Sequence, residues 1–311
     1  MSVRNPFTGR WIMEPKPQNV WGIPHSIWFA LMGVGGALYI DRALFGIDLA
    51  RVFGLSVADV LSLVLIGIGG LILIGDLGRP LRVLRALLNP RTSWISVGAI
   101  CDFVFIGLGG LWMITDLEVG GAHPFAGLPW AGSSPLGIVF QVVAGIAALI
   151  VIVYPGLVLA YSPSIPFWNT MLIPSQFLAY AFSSALGVAL LFSVQFPVAT
   201  DTLRTWAAIE GGLLVVCLLL LVAHVLNARY THTTSRVSVD RLLRGDLRLA
   251  FVWGTLVVGL GLPALLLFWG YSSAPTLDLR LPLAFAGIVA VAGNWFSKYA
   301  VIRAGTYAPF L

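Results

Sequence analysis

The chain has 311 residues, 59% of them hydrophobic and only 10% charged, with a formal net charge of +5. Its mean hydropathy of +0.94 lies far above that of soluble domains, which excludes a soluble enzyme and makes this an integral membrane protein. The basic excess is no sign of a nucleic-acid partner, because the arginines gather in loops between apolar runs.

A helix needs about 20 apolar residues to cross a hydrocarbon core, and it satisfies its own backbone groups while doing so. The runs here are long and lack the period-2 alternation of a barrel, so they predict helices. Eight spans follow in chain order, at 23–45, 54–75, 94–115, 136–159, 171–194, 206–227, 249–270 and 281–302. The fold class is therefore an all-α integral membrane protein with eight transmembrane helices, grouped as two four-helix bundles. Residues 1–22 read as a polar N-terminal segment and 303–311 as a tail. The first four spans occupy 23–159 and the last four 160–302.

An even number of spans puts both termini on one face, here side A. Fourteen of the 18 lysines and arginines fall on that side; Arg42, Arg51, Arg204 and Arg280 fall on the other, side B. Short basic loops stay in the cytoplasm, so side A is expected to be cytoplasmic. Residues 1–20 are polar and carry no signal-peptide pattern. Cys101 and Cys217 lie inside apolar runs with no Cys-x-x-Cys spacing, so this chain is expected to hold no iron–sulfur cluster and no metal.

Ionisable residues within spans are costly and mark function by default. Asp102 follows Trp94 and Gly98 at i, i+4, i+8, which places it about 12 Å inside the third span on a face that touches another helix. It is a candidate proton carrier. In the sixth span Glu210, Cys217 and His224 recur every seven residues along one face, a second candidate proton route. Lys298, one turn after Asn294 in the last span, is expected to snorkel to side A. Asp41 is expected to pair with the adjacent Arg42 at side B.

At side A the first span begins "WGIPHSIWFALMGVGG", the second ends at Asp76 with Arg79 beyond it, and the fourth ends near Tyr154. His25, Trp28, Tyr154, Asp76 and Arg79 thus converge at one depth from three spans. Hydrogen-bonding groups beside an aromatic wall suit a quinone, whose carbonyls need partners and whose ring needs apolar surroundings. Of the four histidines only His25 and His224 share a level, both near the surface, so no haem is expected.

The stretch "DLGRPLRVLRALLNPRTSW", residues 76–94, resembles the loop between the second and third spans of the NrfD/PsrC family, the membrane subunits of polysulfide-reductase-type enzymes. "YPGLVLAYSPSIPFWNTMLIPSQF", residues 154–177, resembles that family's junction between the fourth and fifth spans, and the start of the first span also fits. The resemblance covers mainly the first five spans. It implies a quinone-reactive anchor without haem, using menaquinone or ubiquinone. It implies an iron–sulfur subunit docked on the anchor and a molybdopterin catalytic subunit beyond. By position it assigns the quinone to His25, Trp28, Tyr154 and Asp76, beside which the converging spans add Arg79. Arg79, Arg82, Arg85, Arg91 and Trp168 are expected at the partner face. Proton transfer is expected at Asp76, Asp102, Glu210 and His224. One departure is that His25 and Trp28 stand exchanged relative to the family's order.

The reading is therefore a quinone-binding anchor of a multi-subunit oxidoreductase in a bacterial or archaeal cytoplasmic membrane. Two alternatives stand beside it. One is an ion or small-molecule transporter using Asp102 and Glu210, although no helix-breaking pair recurs in the two halves. The other is a purely structural anchor.

Overall fold

The computed structural model describes residues 15–76, 87–196, 198–272 and 278–308. Eight of its helices are long and apolar enough to span a membrane. They are α1 (Ile23–Phe45), α2 (Val57–Asp76), α3 (Trp94–Asp116), α4 (Pro135–Ala160), α5 (Leu172–Phe192), α6 (Thr200–Thr231), α8 (Leu249–Ser272) and α9 (Arg280–Ala304). The element between α6 and α8 is α7 (Thr233–Leu243), a short helix on side A.

Several boundaries differ from the hydropathy expectation for physical reasons. The second span starts at Val57 rather than 54 because residues 51–56 form a hairpin, β2 (Arg51–Val52) and β3 (Leu55–Ser56). Its turn holds Phe53 at φ 52° and Gly54 at φ 78°, a left-handed conformation that a helix cannot continue. α6 exceeds the predicted 206–227 at both ends, because polar turns at Thr200–Asp201 and at Asn227–Thr231 extend it past its apolar run. At 32 residues it is about 48 Å long, well over the ~30 Å of a hydrocarbon core.

Helices α1–α4 pack as one ring and α5, α6, α8 and α9 as another, joined where α1 and α4 meet α5 and where α1 meets α9. The two expected four-helix bundles are therefore present. Water exclusion gives these helices no sorting force inside lipid, so close packing of small residues decides which face turns inward. On α4 the large residues Val139, Val142, Ile146 and Leu149 face outward, while Ala144, Ala147, Ala148 and Val151 are buried. α8 and α9 approach closely at Gly259 and Gly293, where a methyl on either would overlap the backbone of the other. α8 opens there into a π-helix over Leu249–Gly261.

The chain ends are tied together on side A. β1 (Lys16–Pro17) pairs antiparallel with β4 (Thr306–Tyr307), so the segment before α1 and the segment after α9 lie on one face, as the even span count requires. Gln18 completes the clasp: its backbone N–H donates to the Gly305 carbonyl and its side-chain amide to the carbonyls of Trp21 and Ile302.

Candidate functional site

The start of α1 is set by Pro24, which sits in the first turn where its missing N–H costs nothing. This first turn presents a run of aromatic rings. His25, half-buried, stacks on Trp21 at 4.9 Å between centroids and meets Trp28 edge-on at 6.3 Å. Trp28 is buried and lies 6.2 Å from the ring of Tyr154 on α4. Tyr154 is fully buried, and its hydroxyl donates to Asp102 Oδ2 on α3 at 3.4 Å. Among the described residues, Asp102 Oδ1 has no hydrogen-bond partner.

The tyrosine fits only because residue 98 is glycine: a methyl there would overlap the Tyr154 ring. The Trp94–Gly98–Asp102 face thus meets another helix, as its spacing predicts, and the neighbour is α4. Ser93 caps α3 by accepting from the Ser96 N–H at 3.3 Å, which fixes where that helix and its aspartate begin.

Asp102 also lines a crevice of about 290 Å³ between α2 and α3. Its other walls are apolar, among them Gly67, Gly70, Leu73, Ala99, Phe103 and Ile106. Leu71 and Phe103 at its edges are exposed on lipid-facing surfaces of the two helices, so the crevice opens sideways toward the bilayer. Leu73 separates it from a narrow notch beside Pro24, His25 and Trp28.

Four of the expected residues, His25, Trp28, Tyr154 and Asp102, therefore form one connected group. Asp102, assigned in the sequence to proton transfer alone, turns out to be the direct partner of Tyr154. The Asp76 side chain and Arg79, Arg82 and Arg85 lie outside the described residues. Arg91 is exposed on the loop before α3.

Three expectations are corrected. Trp168 is 3% exposed and cannot present a docking face. Its indole N–H donates to the Val301 carbonyl at 2.9 Å and its ring packs on Gly305, so it anchors the loop before α5 to the end of α9. Lys298 does not snorkel. It is buried, donates to Asn294 Oδ1 one turn deeper in the membrane, and lies 5.1 Å from the Phe177 ring. Arg42 pairs with Asp59 on α2 at 2.8 Å, not with Asp41. Glu210 and His224 sit in the second bundle, apart from the Asp102 group. Glu210 Oε1 accepts from Ser183 Oγ at 2.7 Å, and His224 Nε2 lies 3.0 Å from the Phe167 carbonyl while its ring stacks on Phe167.

The model of one family, Polysulphide reductase, NrfD, matches residues 11–309, nearly the whole chain. The chain belongs to the NrfD family. Members of this family are membrane subunits of polysulfide reductase and related complexes, and they generally assemble with iron–sulfur and molybdopterin subunits. No curated protein matches the chain. The NrfD match extends the likeness seen in the first five spans to the second bundle, including α7.

Proposed function

We propose that this NrfD-family chain is the quinone-reactive subunit of a multi-subunit oxidoreductase. Electrons pass between an iron–sulfur subunit on side A and membrane quinone lodged against α1–α4, and a molybdopterin subunit acts on the soluble substrate. The observation that carries the reading is Asp102: a buried carboxyl with one unbonded oxygen, on the wall of an apolar crevice that opens to lipid. An apolar slot with very few polar groups is the usual form of a site for a flat, hydrophobic ligand.

Quinone as substrate accepts or releases two electrons with two protons. In this reading Asp102 exchanges a proton at a carbonyl oxygen, and the Tyr154 hydroxyl fixes the orientation of that carboxyl. Trp28 and the crevice walls exclude water. His25, half-buried beside Trp21, exchanges protons with side A; Asp76 and Arg79 belong to the site by their sequence positions alone. Arg79, Arg82, Arg85 and Arg91 hold the iron–sulfur subunit, chiefly by speeding its encounter. In this reading the membrane is that of a bacterial or archaeal cell, and the excess of arginine supports a cytoplasmic side A.

The test is photolabelling of the purified complex with an azidoquinone. We expect label on α2 and α3 within residues 67–74 and 99–106, competed by menaquinone or ubiquinone and weakened in Asp102→Leu. Label confined to other helices rejects the site.

A further inference from the structure

The side-A end of the second bundle carries a polar cavity that the Asp102 site does not use. It holds about 440 Å³ between the last turn of α6 and α7, and it is lined by Arg229, Tyr230, Thr233, Arg236, Val237 and Asp240. The last four recur along α7 at i, i+3, i+4 and i+7, which puts them on one face. The opposite face holds that helix in place: Ser235, Ser238, Val239 and Leu242 are buried, and Ser238 Oγ bonds Thr306 Oγ1 beside the strand clasp at 3.1 Å.

Two guanidinium groups share this cavity with one carboxylate, which leaves one positive charge over. Arg236 Nε donates to the Arg229 carbonyl at 2.6 Å, and this fixes the side chain over the end of α6. Among the described residues no carboxylate lies at ion-pair distance from Arg236. Arg229 Nη1 reaches Asp240 only at 3.9 Å, with both side chains open to the outside. Arg241, also on α7, shows the alternative: it closes on Asp246 through two bonds, at 3.0 and 2.7 Å.

The height of the cavity in the membrane is set by α6. Leu219, Val222, Leu226 and Tyr230 are exposed and form one stripe along that helix. Arg229 lies three residues beyond Leu226, about 4.5 Å further toward side A. The headgroup layer is about 5–8 Å deep on each side of the hydrocarbon core. The two arginines therefore stand at the level of lipid phosphates, with an apolar track running from them into the core.

We propose that this cavity binds the phosphate of an anionic phospholipid in the side-A leaflet, with an acyl chain laid along the stripe from Tyr230 to Leu219. The phosphate oxygens accept from the terminal nitrogens of Arg236 and from Arg229, the charge-assisted geometry that guanidinium groups favour. The single positive charge left by Asp240 matches the single negative charge of a phosphodiester. A free phosphate could meet the same arginines but would gain nothing from the stripe. A zwitterionic lipid would bring its own cation toward two others.

The intact protein, with its co-purifying subunits, is stripped of lipid in detergent. It is then mixed with dioleoyl phosphatidylglycerol, phosphatidylethanolamine or phosphatidylcholine, and native mass spectrometry reads the lipid retained. We expect phosphatidylglycerol to be retained at least fivefold better than the other two. Its retention should fall about fivefold in Arg229→Gln and in Arg236→Gln, the worth of one arginine near an anionic surface. It should stay within twofold of wild type in Arg248→Gln, which removes an exposed side-A charge outside the cavity. Equal retention of the three lipids, or equal loss in all three variants, would mean diffuse attraction and overturns the site. Displacement of phosphatidylglycerol by an equal concentration of potassium phosphate, with potassium chloride as the control, would assign the cavity to a free anion and overturns the lipid. Loss of a co-purifying subunit from Arg236→Gln would make this face a protein interface and overturns it as well.

Discussion

The hydroxyl of Tyr154 on α4 donates to the carboxylate of Asp102 on α3, 3.4 Å away and 52 residues apart in the chain. Tyr154→Phe removes only that donor and keeps the ring on Gly98. We expect quinone-linked turnover of the complex to fall about tenfold, the scale of one hydrogen bond to a charged or reacting group. Asp102→Asn should cost more, about 10²-fold or greater, if the carboxyl transfers a proton. Steady-state kinetics with a soluble quinone analogue check both, and wild-type rates in both variants would remove this pair from the chemistry.

Gly98→Ala pushes a methyl into the Tyr154 ring. Overpacking of this kind costs about 1–3 kcal/mol. Gly107→Ala on the same helix has nothing within 4 Å to meet. Thermal melting in detergent should show a lower midpoint for the first variant and no loss for the second. Equal midpoints would mean that α3 and α4 separate easily at this point.

The side-A loop before α8 carries an ion pair that makes stability depend on pH. Arg241 donates to both carboxylate oxygens of Asp246, at 3.0 and 2.7 Å, and holds that carboxyl below the usual aspartate range. A depressed folded-state value stabilises the fold above the unfolded value of about 3.9 and loses that stabilisation as pH falls through the folded value. Because the Asp246 side chain is 59% exposed, the effect should not exceed about 1 kcal/mol. The melting difference between wild type and Asp246→Asn should be constant from about pH 8 to 5, shrink below about pH 4 and vanish only once the pH is below the folded value. A difference that grows on acidification contradicts the assignment.

Paired strands bring Lys16 and Tyr307 together on one face, which the charge count makes side A. C-terminal alkaline phosphatase fusions should be inactive and green fluorescent protein fusions bright. The opposite pattern would move side A outside the cell.

Much of the first bundle was legible because its signals are local. Apolar run length defined the spans, and the i, i+4, i+8 spacing of Trp94, Gly98 and Asp102 marked a contact face. The shared depth of His25, Trp28 and Tyr154 followed from counting residues. What stayed hidden depends on which way a side chain turns. Lys298 had a short path to side A, yet Asn294 and Phe177 offer it partners inside. The exchange at Asp41 was open to a simpler rule: neighbours in a helix point about 100° apart, so when Arg42 reaches Asp59 on α2 its neighbour Asp41 points elsewhere. Trp168 was expected at the partner face because it stands in the junction between the fourth and fifth spans that carries the family resemblance, and only the meeting of that loop with the end of α9 buries it. α7 escaped notice since eleven mixed residues carry too weak a pattern to separate from a loop.

The sideways opening between α2 and α3 has a kinetic consequence. A ligand that enters there arrives by diffusion within the lipid sheet, so its concentration is a mole fraction of lipid and not a molarity in the buffer. Diluting the vesicles at fixed ligand-to-lipid ratio should leave the rate per complex unchanged, whereas adding empty lipid should slow it.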